Sequence, residues 1–136
     1  MSIFRDQIAM MGYFVTACVT CVALGASGAL AQDLTGPQKN AVRSAQMYLS
    51  LQGFSRRGLI EQLSSPYGDG YDLADATAAV DSLPVDWNEQ AVRSATQYLQ
   101  MMGFSCRGLI EQLSSDAGDK YSTDQATYGA RQAGAC

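Results

Sequence analysis

No histidine occurs anywhere in the 136 residues. That gap removes the commonest metal ligand and the usual base for a serine or cysteine nucleophile, so hydrolytic and zinc chemistry lose their ordinary apparatus. Positive charge is scarce too: 9 Lys and Arg stand against 13 Asp and Glu, for a net charge of -4. Nucleic-acid affinity comes largely from neutralising phosphates with basic side chains, so an acidic chain is a poor match for DNA or RNA. A neutral or basic partner fits better. No stretch has the two-residue alternation of a half-buried strand. What remains is an all-α binding protein, with no enzyme activity and no cofactor expected.

Charge is also missing from Gln7 to Gln32, and Ile8 to Leu24 is dominated by Ala, Met, Val, Phe and Cys. A run of that character reads as a targeting segment and is set aside before fold reasoning. Arg5 supplies a positive start, and Ala29-Leu30-Ala31 puts small residues where a signal peptidase cuts, so cleavage after Ala31 is expected. Two alternatives stay open. Val15-Thr16-Ala17-Cys18 fits a lipobox, which would make Cys18 a lipidated N-terminus. The length of the run also allows an uncleaved anchor helix. All three export the remainder to a periplasm or cell surface, with the membrane touched only through a lipid or anchor helix.

The exported part carries a duplication at a fixed offset of 50 residues. Ala41-Val42-Arg43-Ser44-Ala45 recurs as Ala91-Val92-Arg93-Ser94-Ala95, Tyr48-Leu49 as Tyr98-Leu99, and Gly53-Phe54-Ser55 as Gly103-Phe104-Ser105. Arg57 through Ser65 then recurs unchanged as Arg107 through Ser115. The organisation follows: 1–31 signal or anchor segment, 36–83 first repeat, 86–136 second repeat. Repeated units of this size stack because one alone buries too little apolar surface, so the two copies are expected to pack on each other within a monomer.

Each copy reads as three helices. Pro37 suits the first position of a helix, and Ala41, Ala45, Tyr48, Leu49 and Gln52 follow at helical spacing until Gly53 ends the run as a C′ residue. Ser55 is a natural N-cap, with Phe54 before it and Leu59 four positions inside forming a hydrophobic staple; Phe104, Ser105 and Leu109 repeat the arrangement. Leu59, Ile60 and Leu63 point inward, and Ser64-Ser65-Pro66 stops the helix. The third helices open on Asp72 with Asp75, a weak capping box, and on Ser122 with Gln125, a direct Ser-x-x-Gln box. Ala76, Ala79, Val80 and Leu83 form the buried face of the first of these. Asp86-Trp87-Asn88-Glu89 is a further box, turning the linker Pro84-Val85 into the next helix.

Few residues carry candidate chemistry. Glu61 and Glu111 are repeat equivalents on solvated faces, which makes them a weak acid/base pair. Asp69-Gly70-Tyr71-Asp72 has some calcium-loop character, but Asp119-Lys120-Tyr121-Ser122 loses a glycine and a carboxylate, so a turn with a helix cap is the better reading and no metal site is expected. Arg56 and Arg57 stand at the first positions of a helix, where the macrodipole favours anions. Arg57 and its equivalent Arg107 are therefore candidates for an interaction, with a carboxylate of their own fold or with a partner. Cys106 and Cys136 survive cleavage after Ala31, and an oxidising compartment would pair them, closing a loop of about 30 residues for about 2–4 kcal/mol.

The Ala-Val-Arg-Ser-Ala-x-x-Tyr-Leu helix, the Gly-Phe-Ser-x-Arg-Gly-Leu-Ile-Glu-Gln-Leu turn and helix, and the linker from Val85 to Val92 resemble the Ltp-like host cell surface-exposed lipoproteins. The resemblance covers nearly everything from Asn40 to Ala130. It implies tandem helix-turn-helix-like repeats held outside the cell and, for some members, superinfection exclusion through a protein partner in the phage injection apparatus. The chain departs from the family at the lipobox, at the Ala-x-Ala junction, and in longer loops at Tyr67 to Tyr71 and Ala117 to Tyr121. Two other functions stand beside this one: an envelope module with no phage role and, more remotely, a DNA-binding helix-turn-helix protein.

Overall fold

The computed structural model describes residues 33–136, and within them six helices and no strand. The N-terminal features, Cys18 and the Ala31 junction included, lie outside the described residues. No helix among the described residues is long and apolar enough to cross a membrane. The first repeat comprises α1 (Gly36–Leu51), α2 (Arg56–Ser64) and α3 (Leu73–Asp81). The second comprises α4 (Trp87–Met101), α5 (Cys106–Ser114) and α6 (Thr123–Gln132).

Local chemistry sets most of the boundaries. Ser55 and Ser105 each accept from the backbone N–H three residues on, at Gly58 and Gly108, which satisfies a donor that a helix N-terminus leaves orphaned. Ser122 and Gln125 form both bonds of their capping box. Thr35 and Gln38 form another, so α1 starts at Gly36 and Pro37 occupies its second position, not its first. The Asp72–Asp75 box does not form: Asp72 makes no side-chain cap bond, and Asp75 instead accepts from Gln38 Nε2 at 3.0 Å. A bond from a neighbouring helix has displaced a local one.

Each repeat has its own core. In the first, Ala45, Leu59, Ile60, Leu63, Ala76 and Val80 are buried, with Tyr48, Phe54, Leu83 and Trp87 packed around them. In the second, Ala91, Ala95, Leu109, Leu113, Tyr121, Ala126 and Ala130 are buried. The leucines of α2 and α5 are the largest contributors, at about 1.5–3 kcal/mol each for full burial. The alanines let the outer helices approach closely: a Cβ on Gly129 of α6 would lie 2.6 Å from the Ala91 carbonyl of α4. The staples close each helix turn, and Tyr48–Phe54 and Tyr98–Phe104 pack edge to face at 5.7 and 5.6 Å.

Two apolar cores, one per repeat, differ from the stacking expected of repeats that cannot bury their apolar faces alone. The copies do meet, but through a polar seam. Trp87 is the exception to the division, since it begins α4 and packs on the core of the first repeat.

Candidate functional site

The seam joins the end of α1 and the start of α2 to α4 and the loop before α6. Gly53 lies at its centre. Its φ is not positive, so the glycine is not there to cap α1. A Cβ at this position would run into Ser94 and come within 2.6 Å of the Gln90 carbonyl, so only a glycine lets the chain pass. The Gly53 amide donates to Gln97 Oε1 at 3.1 Å.

Four more polar contacts cross the seam, with donors on both sides. Arg93 Nη1 donates to the Leu49 carbonyl at 2.5 Å, satisfying an acceptor that the end of α1 leaves free. Ser55 Oγ caps α2 and also donates to the Asp119 carbonyl. Arg57 Nη2 pairs with Asp116 Oδ1 at 2.9 Å, and Lys120 Nζ pairs with Glu61. Lys120 sits at φ 62, a left-handed conformation that costs a non-glycine residue about 1–2 kcal/mol. Its repeat equivalent is Gly70, at φ 69, for which the same conformation is free. Both residues close the same turn, donating to the Ser65 and Ser115 carbonyls, and only the lysine adds an ion pair across the seam.

Below the seam each repeat keeps a three-residue polar cluster. Tyr48 Oη donates to Asp69 Oδ1 at 2.8 Å and accepts from Gln62 Nε2 at 3.2 Å; Tyr98, Asp119 and Gln112 repeat this at 2.9 and 3.1 Å. These clusters pin the long loops to the ends of α1 and α4. Burial pushes the Asp119 carboxyl above the usual carboxylate range, opposed in part by the Tyr98 bond. The phenol of Tyr48 is raised chiefly by Asp69, and that of Tyr98 chiefly by burial. Tyr121, bonded to Ser94 at 2.9 Å, is raised further by its burial. All three phenols stay protonated at neutral pH, and those of Tyr48 and Tyr98 donate to their carboxylates. Sequence reasoning passed over these clusters, although the signal was available: Tyr, Gln and Asp recur together at the 50-residue offset.

The candidate residues fall in different places. Arg57 belongs to the seam, while Arg107 is exposed and, among the described residues, reaches only Glu111 on its own helix, at 3.7 Å. Glu61 and Glu111 therefore face different cations and are not a pair. Asp69 is committed to Tyr48, Asp72 stands at the N-cap of α3 without a side-chain cap bond, and among the described residues no group of three acidic or sulfur ligands is gathered for a metal. Cys106 and Cys136 are joined by a disulfide, Cα to Cα 4.7 Å. Clefts of about 270 and 390 Å³ open on the two sides of Gly53.

No curated protein matches the chain in sequence. Among solved structures, it is similar to that of Ltp, a superinfection exclusion protein from the Streptococcus thermophilus temperate phage TP-J34. The TM-score is 0.64 and the identity 30%, over 71% of this chain and 95% of that one. The sequence pattern described as "Host cell surface-exposed lipoprotein" matches twice, at residues 37–83 and 86–131. Two matches that coincide with the two three-helix units, together with a shared fold, show that the chain belongs to the host cell surface-exposed lipoprotein (Ltp) family.

Proposed function

We propose that the protein is an exported binding module that excludes superinfecting phage by engaging a protein of the apparatus that delivers phage DNA. The observation that carries this reading is the 30% identity to a superinfection exclusion protein over 95% of its length. The chain acts here as a monomer, without cofactor, catalysis or nucleic-acid binding. Its net charge of -4 favours a basic partner segment, so association weakens with salt. Either lipidation at Cys18 or an uncleaved helix would hold it at the surface; cleavage after Ala31 would leave it free outside the membrane.

Plaque formation, adsorption and intracellular phage DNA, measured against a panel of phages on cells producing the protein, test the reading. Normal adsorption with blocked DNA delivery is the expected result. Unchanged delivery across the panel, with the protein exported and folded, would point to an envelope module with no phage role.

A further inference from the structure

The seam is built from one end of the first repeat and the opposite side of the second. The first repeat contributes Leu49, Gly53, Ser55, Arg57 and Glu61; the second contributes Arg93, Gln97, Asp116, Asp119 and Lys120. A contact of this kind does not use up its own surfaces. The second repeat presents the first set again, as Leu99, Gly103, Ser105, Arg107 and Glu111, with every residue type kept. We propose that this second end is a docking socket for another protein, one that presents what α4 and the loop before α6 present to the first end. The chemistry required is a helix with small residues that carries an arginine and a side-chain amide, beside a loop bearing a carboxylate and a lysine.

Four observations support this. Gly103 has neither of the usual reasons for a glycine: its φ is not positive and a Cβ would meet nothing within 4 Å, yet glycine here carries a conformational-entropy cost. Its equivalent Gly53 is required because another element comes too close for a side chain. Second, Ser105 is exposed where Ser55 is only 2% exposed, so the second hydroxyl keeps its cap bond but among the described residues has no partner across a seam. Third, Arg107 and Glu111 are 90% and 71% exposed and hold each other only loosely, whereas Arg57 and Glu61 are each paired across the seam. Fourth, Met101 and Met102, at 70% and 59% exposure, give the rim of this end an adaptable apolar border.

A second copy of the chain is a poor occupant. Its free side would offer Met47 where Gln97 stands, Pro66 for Asp116 and Gly70 for Lys120, so the amide and both ion pairs are lost. The same three differences supply the probe. Restoring them by Met47→Gln, Pro66→Asp and Gly70→Lys rebuilds the docking side on the first repeat, at a position whose left-handed φ Lys120 already tolerates. Adding Gly103→Trp to that chain blocks its own socket and prevents chain growth.

The proposal deepens the protein-binding reading above and rests on it for a natural partner, but the physical test does not. Isotope-labelled full-length protein is titrated with the four-substitution probe and followed by amide chemical shifts. Shifts confined to Leu99–Glu111, with affinity lowered at least about tenfold by Glu111→Lys in the labelled protein and abolished by Gly103→Trp, are expected. No shifts, shifts elsewhere, or shifts that survive Gly103→Trp would overturn the socket. Self-association of the unmodified chain through the same amides would overturn the choice of occupant. In cells, Gly103→Trp that folds and still excludes phage refutes the socket while leaving the proposed function standing. Failure of the unmodified protein to exclude any phage refutes that function, and the titration then decides the socket alone.

Discussion

Equivalent points of the two repeats are tied down by different chemistry. At the start of α2, Arg56 grips Asp81 at the end of α3 with two hydrogen bonds, 2.6 and 2.8 Å long. At the start of α5 the arginine has become Cys106, bonded to Cys136 beyond α6, and the counterpart of Asp81 is Arg131. Both ties close the third helix onto the second. The ion pair is half exposed, with side chains 43% and 48% accessible, so solvent screens it and it contributes little. The disulfide acts on the unfolded chain as well, by restricting it, and is insensitive to salt. One fold therefore carries a tie sensitive to pH and another sensitive to redox state.

The largest effect should come from breaking the second tie. Reduction, or Cys106→Ser, is expected to cost about 2–4 kcal/mol, with hydrogen exchange accelerating first in α6 while α1 to α3 keep their protection. Equal loosening of both repeats would mean that the cores are not independent. Next come the paired glycine substitutions. Gly53→Ala forces a side chain into Ser94 and the Gln90 carbonyl and should cost about 1–3 kcal/mol, read as a lower thermal midpoint. Gly103→Ala should be neutral or stabilising by about 0.4–1 kcal/mol, because its backbone is ordinary and its surroundings open.

Acid sharpens the contrast. Arg56 holds the Asp81 carboxyl below its ordinary value of 3.8, so its contribution is present above that pH and is lost as pH falls through the lower folded value. Asp119 behaves in the opposite way: burial raises its folded value, and the cost of keeping it charged is relieved as pH falls through that value. Loosening below pH 3.8 should begin at α3, followed residue by residue in an NMR titration, while Asp81→Asn removes this sensitivity at a neutral-pH cost of about 0.5 kcal/mol. An effect of similar size is expected from Glu61→Gln. Its ion pair with Lys120 bridges the seam at a largely exposed carboxylate, so about 0.2–1 kcal/mol is at stake, and high salt should erase the difference in urea midpoints.

Much of the fold was legible because it is written in local signals. Ser55, Ser105 and the Ser122–Gln125 box mark helix starts by chemistry that reaches only three residues, and the 50-residue offset announces the duplication. The seam was not legible for the opposite reason. Arg57 finds Asp116 and Glu61 finds Lys120, each 59 positions away, and no periodicity encodes such a pairing. Gly53 was misread for the same cause: a glycine after a helix has a ready local explanation, and only the approach of Ser94 replaces it. The departures between copies held the clue. Where the repeats differ, at Met47 and Gln97, Pro66 and Asp116, and Gly70 and Lys120, the second repeat carries the side chains that cross the seam.

Trp87 has a consequence for how the protein is made. It follows the boundary at which the second family match begins, yet its indole helps cover the first core. A chain that has emerged only as far as Leu83 is therefore a complete copy of the duplicated unit but not a complete folding unit. The first core acquires this part of its cover only after Pro84, Val85 and Asp86 have emerged with the tryptophan behind them, so its final docking waits on the next repeat's first helical residue. The segment that is duplicated and the segment that closes as a folding unit are out of step by those few residues.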